Sequence, residues 1–188
     1  MYLFTGSEEL LVRRAAERLL DELREEGPTE VVDVRASELR EQGLPDLRTG
    51  SLFGERRVVL IREAQELPKE AVAVLSAELE AQTRESLVVL MASSTGRIMG
   101  LAKQIKEAGG RVDVSPPPPW KDGEWTAIVR DEFAQHGRRV NAAAAAAILA
   151  HAGTDVAQIA EKVAQVVAAV PKGAIGVDDI ERSVIGHG

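Results

Sequence analysis

The 188-residue chain is 45% hydrophobic and 28% charged, a composition that is typical of a globular protein and excludes a disordered one. It contains no cysteine, which excludes disulfide bonds and thiolate metal sites, and no apolar stretch approaches the roughly 20 residues that cross a bilayer. The formal net charge of −7 disfavours tight binding of a nucleic-acid backbone by this chain alone. With no basic leader before an apolar run, we expect a cytoplasmic protein that does not associate with membranes.

The first 115 residues predict strands that alternate with helices. The predicted strands are Tyr2–Thr5, Glu30–Val34, Arg57–Ile61, Leu87–Met91 and Arg111–Ser115. The predicted helices are Ser7–Glu26 with Ser7 as its N-cap, a helical turn at Ser37–Glu41, Pro68–Ala81 and Met99–Ala108. Because strands alternating with helices imply crossover connections, this pattern predicts a mainly parallel α/β sheet with helices on both faces.

Two large apolar side chains, Leu52 and Phe53, stand together where a polar, turn-forming segment ends. Gly54 and charged residues separate them from the apolar part of the next predicted strand. The pair therefore fits neither the alternating apolar and polar pattern of a half-buried strand nor the continuous apolar run of a buried one. One interpretation is a plug that closes the loop onto its own domain. The other is an anchor pair that inserts into a pocket of a partner protein. We call Ser51–Gly54 the tip segment.

The turn after the first strand lacks the residues of a phosphate-binding loop. Of the pattern GxxxxGK[ST] only Gly6 is present, Glu8 and Glu9 follow it, and the first lysine of the chain is Lys69. Arg62 stands where an acid that binds Mg²⁺ is expected, directly after the strand VVLI. These departures predict no ATP hydrolysis and no cofactor, and the two glutamates are explained more simply as complementing the helix dipole.

Three basic residues, Arg97, Lys103 and Lys106, follow the next predicted strand. They are candidates for a DNA-proximal edge, although a solvated helix face is the commoner explanation of such residues. Trp120 and Trp125 are predicted to be core anchors that pack a helical bundle onto the neighbouring prolines.

Four consecutive prolines, Pro116–Pro119, interrupt the chain and favour a stiff extended segment. After them the composition becomes rich in alanine, and we predict helices at Trp120–Gln135, Asn141–Ala150, Asp155–Val170 and from Asp178 onward. The sequence therefore predicts an α/β domain over residues 1–115, a proline linker over 116–119 and a small helical domain over 120–188.

Several segments, in order and at this spacing, resemble the delta subunit of bacterial DNA polymerase III, the clamp-opening member of the clamp loader. These are YLFTGSEELLVRRA, SLFGERRVVLI, LVVLMAS, LAKQIKEAGGRV and AGTDVAQIAEKV, and together they span the chain. The resemblance implies a degenerate AAA+ (P-loop-NTPase-like) α/β domain followed by a helical lid domain. It also implies a non-catalytic subunit, without a cofactor, of the DNA polymerase III holoenzyme, whose complex carries the DNA-directed polymerase activity.

The resemblance further implies a clamp-binding site in the tip segment. Leu52 and Phe53 would form a hydrophobic wedge that inserts into the β sliding clamp, with Ser51 and Gly54 shaping the tip. The partners implied are this clamp, the gamma/tau and delta-prime subunits, and DNA within the complex. Members of the family carry a third, collar domain, and this sequence stops about where the collar would begin, so we expect a truncated chain that assembles weakly with the other subunits.

Two other functions remain open at this point. One is a nucleotide-dependent AAA+ ATPase with an atypical phosphate loop. The other is a scaffold role like that of delta-prime, in which the tip packs internally and contacts no clamp.

Overall fold

A computed structural model describes residues 1–49, 56–81 and 86–185 of the chain. By their internal contacts these residues fall into two compact units, Met1–Ser115 and a second unit that begins at Pro116.

The first unit is built on a five-stranded sheet in which every described pairing is parallel. Its strands are β1 (Tyr2–Thr5), β2 (Thr29–Arg35), β3 (Arg56–Arg62), β4 (Leu87–Ala92) and β5 (Arg111–Asp113). They lie in the order β2-β3-β4-β1-β5, so the first strand of the chain is internal and the second lies at an edge. The predicted parallel α/β sheet is thereby confirmed.

Four helices cover the two faces of this sheet: α1 (Glu9–Glu26), α2 (Leu39–Gln42), α3 (Lys69–Ala81) and α4 (Met99–Glu107). Helix α1 packs on one face through Val12, Ala16 and Leu20. Helices α2, α3 and α4 contribute to the core on the opposite face. Each helix presents one apolar stripe to the sheet, as the 3.6-residue period requires.

The burial of β3 explains why a continuous apolar run forms a central strand. Val58 and Leu60 belong to the core under α1, whereas Val59 and Ile61 belong to the core under the other three helices. Successive side chains of a strand point to opposite faces, so a strand covered by helices on both sides needs apolar residues at every position.

The second unit contains four helices among the described residues, namely α5 (Asp122–Gln135), α6 (Ala142–Ala152), α7 (Val156–Ala169) and α8 (Val177–Ile185). Both predicted N-caps are confirmed: the Asn141 side chain accepts a hydrogen bond from the Ala144 N–H, and Asp155 accepts one from Gln158. Trp125 is buried and donates from Nε1 to the Pro118 carbonyl at 3.0 Å, which confirms its predicted role as an anchor on the prolines.

Three local predictions were wrong. Ser7 is not the N-cap of α1, because the helix starts one residue later and Glu8 holds the cap position without a side-chain hydrogen bond. Trp120 is not a core anchor, since 79% of its surface is exposed. The helical turn after β2 covers Leu39–Gln42, two residues later than its predicted start at Ser37, and its Leu39 joins the core.

Candidate functional site

The tip segment lies outside the described residues, together with Gly50 and Glu55. The prediction that Leu52 and Phe53 contact a partner, with Ser51 and Gly54 shaping the tip, therefore stays a prediction. The residues on both sides of the tip segment are described, and their contacts show how the chain is held before and after it.

Hydrogen bonds to the Asp46 side chain hold the residues that come just before the tip segment. The Asp46 carboxylate accepts a hydrogen bond from the Arg48 backbone N–H at 2.9 Å and a second one from the Thr49 hydroxyl. These two hydrogen bonds hold the pKa of Asp46 below its ordinary value of 3.8, and the one from the Thr49 hydroxyl has the larger effect. Leu47, which lies between Asp46 and Arg48 in the chain, is buried in the core, and its carbonyl accepts a hydrogen bond from the Ser86 N–H. The chain is thus fixed up to Thr49.

An ion pair links the residues before the tip segment to helix α3. Arg48 contacts Oε1 of Glu78 twice, from Nε at 2.8 Å and from Nη2 at 2.6 Å. The Glu78 side chain is only 7% exposed, whereas that of Arg48 is 69% exposed. The hydrogen bond to Glu78 raises the pKa of the Arg48 guanidinium. Burial of a carboxylate is unfavourable unless its charge is paired, and Arg48 is one such partner of Glu78.

The other end of the tip segment enters β3 through two arginines. The Arg56 N–H donates to the Pro28 carbonyl at 3.0 Å, and its guanidinium pairs with Glu26 at 3.0 Å. The Arg57 guanidinium reaches back to the carbonyls of Asp46 and Thr49, both at 3.3 Å. Arg57 therefore ties the two flanks of the tip segment to each other.

A second candidate site is the cleft at the carboxyl ends of β1, β3 and β4. Helix α1 follows β1 on one face of the sheet and α4 follows β4 on the other, which creates the crevice where open α/β sheets bind ligands. The cleft has a volume of about 370 Å³. Its charged lining comprises Glu9, Arg13, Arg35, Arg62 and Glu63.

Gly6, the one residue left of the phosphate-loop pattern, serves packing in this structure. Its N–H donates to the Ala92 carbonyl at 3.2 Å. A Cβ atom at Gly6 would lie 2.0 Å from the Val114 carbonyl oxygen, so only glycine fits where β1 leaves the sheet. The close backbone approach at this glycine is to the segment after β5, and the N–H is already paired.

Arg62 occupies the position at the end of β3 where the sequence suggested a lost metal ligand. Its guanidinium pairs with Asp33 on the neighbouring strand β2 at 2.8 Å. The structure thus places a cation there, with its carboxylate partner alongside. Arg13 and Arg35 also line the cleft, so the features that disfavour ATP there are the missing lysine and the cation at the end of β3.

The three basic candidates for DNA contact do not form a continuous positive surface. Arg97 pairs with Glu66 at 3.3 Å, and Lys103 approaches Glu107 at 3.8 Å on the same helix. Lys106 is exposed on the last turn of α4. The carboxylates beside two of the three cations reduce the local positive potential.

Sequence reasoning missed the residues that hold the flanks of the tip segment: Asp46, Arg48, Arg57 and Glu78. Two signals were present. Asp46 is followed two and three residues later by Arg48 and Thr49, which offer a backbone N–H and a hydroxyl as donors, and this spacing is typical of a turn capped by an aspartate side chain. Glu78 lies three residues after buried Leu75, on the apolar stripe of its helix, where an unpaired acid is unfavourable.

The described part of the chain holds no cluster of three or more side chains suited to bind a metal ion. Within the described ranges, no helix has both the length and the apolar character needed to traverse a bilayer.

Comparisons with solved structures identify the fold. The Thermotoga maritima RuvB Holliday junction branch migration motor matches with a TM-score of 0.58 and 15% identity, over 98% of this chain and 61% of its own. The Bacillus subtilis DNA clamp loader delta protein (YqeN) matches with a TM-score of 0.57 and 18% identity, over 97% of this chain and 57% of its own. The chain thus spans about three fifths of the length of the solved structures it matches. These likenesses confirm the predicted AAA+-type α/β fold.

Comparisons at the sequence level identify the family. No curated protein sequence matches the chain. The sequence model of the family described as DNA polymerase III, delta subunit, matches residues 2–109, which is more than half of the chain and includes the tip segment. The chain therefore belongs to the DNA polymerase III delta subunit family.

Proposed function

We propose that this chain binds the β sliding clamp through its tip segment and opens the clamp ring without hydrolysing ATP. Leu52 and Phe53 insert into a pocket of the clamp, and Ser51 and Gly54 allow the chain to turn there. The observation that carries the proposal is the family match, because residues 2–109 include all four positions.

The flanks of the tip segment support this proposal. An apolar anchor binds tightly only if its backbone is held in place before binding, since ordering it during binding costs free energy. Asp46, Arg48 and Arg57 hold the described flanks by hydrogen bonds and an ion pair. A partner that takes up Leu52 and Phe53 therefore meets a chain that is already held up to Thr49 and from Arg56 onward.

The cleft supports independence from ATP. The chain has no lysine before Lys69, and that residue lies at the start of α3, among the residues that line a different cavity. Arg62 holds a positive charge where a metal-binding acid would stand. A chain that gains no energy from ATP opens a ring only by binding the open form more tightly than the closed one, and the shift equals that difference in affinity.

The remaining partners follow from membership of a clamp-loader family. The chain works beside the gamma/tau and delta-prime subunits in the cytoplasm, as a non-catalytic part of the DNA polymerase III holoenzyme. DNA is reached within the complex, and Arg97, Lys103 and Lys106 are the candidate residues for that contact, each as a separate cation and not as one continuous positive surface. The net charge of −7 means that other subunits supply most of the positive charge that DNA requires.

Replacement of the two anchors tests the proposal. Burial of two such side chains contributes roughly 3–6 kcal/mol, so Leu52→Ala/Phe53→Ala should weaken clamp binding by more than about a hundredfold. Surface plasmon resonance with the clamp immobilised measures the change, and circular dichroism checks that the variant is folded.

A matched control removes exposed apolar surface elsewhere. Met99 is 65% exposed and Val112 is 39% exposed, so Met99→Ala/Val112→Ala also truncates two accessible apolar side chains. The control should bind the clamp as the parent chain does. A folded Leu52→Ala/Phe53→Ala variant with unchanged affinity would overturn the proposal and favour a scaffold role.

A further inference from the structure

A groove of about 1080 Å³ opens between the α2 region and helix α3. It is lined on one side by Leu39 and Leu44 and on the other by Leu67 and Val72. Its volume lies just above the range for ligand pockets, about 300–1,000 Å³. The groove is separate from the cleft at the carboxyl ends of β1, β3 and β4, which is lined by other residues.

The wall of the groove is apolar and continuous with the protein core. Leu39 and Leu67 are buried members of the core, and Leu44 and Val72 are half-buried against it. Val74, farther along α3, also lines the groove and is 47% exposed. Apolar surface that extends from the core to the solvent in this way is typical of a binding surface.

The rim of the groove is basic on a chain that is acidic overall. Arg40, Lys69 and Arg97 line it with a single acid, Glu70, whereas the whole chain has 23 basic and 30 acidic residues. Arg97 is partly neutralised by Glu66, but Arg40 and Lys69 form no ion pair with any residue that the structure describes. An occupant with complementary charge is therefore acidic and carries apolar side chains for the wall.

The position of the groove relates it to the tip segment. Leu44 lies at the groove, and the chain from Leu44 to Leu52 spans at most about 29 Å when fully extended. A standard interface buries about 800 Å² per partner, a patch roughly 30 Å across. One partner is therefore large enough to cover both places.

We propose that the groove binds an acidic, apolar segment of the same sliding clamp that takes up the tip segment. The proposal rests on the clamp-binding function proposed above and adds a second contact to it. The Arg40 and Lys69 side chains pair with carboxylates of the clamp segment, whose apolar side chains pack against Leu44, Val72 and Val74.

Charge reversal at the rim tests the electrostatic half of the proposal. Arg40→Glu/Lys69→Glu should weaken clamp binding at least about tenfold at low salt, because like charges then face each other. The loss should shrink as salt rises from about 50 to 300 mM, since exposed charges are screened. The matched control Arg139→Glu/Lys172→Glu reverses two exposed cations of the second unit and should change neither affinity nor its salt dependence.

A substitution on α3 tests the apolar half. Val74→Glu places a charge on the groove wall and should weaken clamp binding at least about fivefold. Ala73→Glu adds the same charge to the neighbouring exposed residue, which does not line the groove, and should bind as the parent chain does. Glutamate is a better helix former than valine, so Val74→Glu should keep the fold.

The outcomes separate this proposal from the one on which it rests. If Leu52→Ala/Phe53→Ala abolishes clamp binding while the groove variants bind like the parent, the groove proposal is wrong and the tip function stands. If the parent chain does not bind the clamp, both proposals fail. Self-association of the parent chain in sedimentation, lost on Arg40→Glu/Lys69→Glu, would assign the groove to a second copy and overturn the proposal.

Discussion

The cleft at the ends of β1, β3 and β4 and the flanks of the tip segment belong to the same unit, yet they use charged residues differently. In the cleft, Arg62 is paired with Asp33 within the sheet, and Gly6 serves close packing against Val114. Before the tip segment, Asp46, Arg48 and Glu78 use their charges to hold the chain up to Thr49. In this chain the region where open α/β sheets bind ligands supports the architecture, and the proposed contact lies elsewhere, in the tip segment.

The largest effect that we expect from this comparison is on stability, at Gly6. Gly6→Ala should lower the free energy of unfolding by about 3 kcal/mol, because overpacking against a rigid backbone has no rotamer that relieves it. The new Cβ atom would lie 2.0 Å from the Val114 oxygen. Urea denaturation followed by circular dichroism measures the change.

The control for this experiment is Gly100 in helix α4, where an added Cβ atom meets no atom within 4 Å. Gly100→Ala should leave stability unchanged or raise it by up to about 1 kcal/mol. Equal stability of Gly6→Ala and the parent chain would mean that the glycine is not retained for packing.

A smaller effect is expected at the flank of the tip segment, and it should appear in clamp binding. Glu78→Gln removes the charge that holds Arg48 and should weaken clamp binding by about two- to fivefold, the range expected of one partly exposed ion pair. The loss should appear mainly as faster dissociation in surface plasmon resonance.

Glu80→Gln provides the matched control, because it makes the same change on the same helix at an exposed carboxylate that accepts from Gln104. It should bind the clamp as the parent chain does. If Glu78→Gln binds equally well, the Arg48–Glu78 pair contributes only to folding and the flank does not position the tip.

The smallest effect concerns pH. The pKa of Asp46 is lowered in the folded chain, so the folded state favours the ionised carboxylate. The resulting stability is present above the ordinary pKa of 3.8 and is lost as pH falls through the lower, folded value. Thr49→Val removes the hydroxyl donor and should make unfolding less dependent on pH below about 4. Identical pH profiles of the two proteins in urea denaturation would contradict this role of Thr49.

Much of the fold was predictable because each signal was local. Alternating strand and helix patterns, the apolar run of β3 and the N-caps Asn141 and Asp155 depend on neighbouring residues, and the structure confirms them. Ser7 and Trp120 were assigned wrongly because residue type alone does not fix where a helix starts or which face of the chain is covered.

The candidate sites were less predictable because they depend on contacts between distant positions. Arg48 and Glu78 are 30 residues apart, and no local sequence pattern predicts their contact. The pairing of Arg62 with Asp33 likewise follows from the order of strands in the sheet. The tip segment was recognised from two adjacent apolar residues in a polar context, and its contact with the clamp stays a prediction.

The most direct test is clamp release from circular DNA by this chain alone, without nucleotide. Clamp release should become faster as chain is added until binding saturates, and at saturation it should exceed the spontaneous rate. ATP with Mg²⁺ should not change the rate. Leu52→Ala/Phe53→Ala should leave release at the spontaneous rate, whereas truncation of the exposed residues Met99 and Val112 should not affect it. Release by the saturated parent chain at the spontaneous rate, or only with ATP, would contradict opening by binding energy.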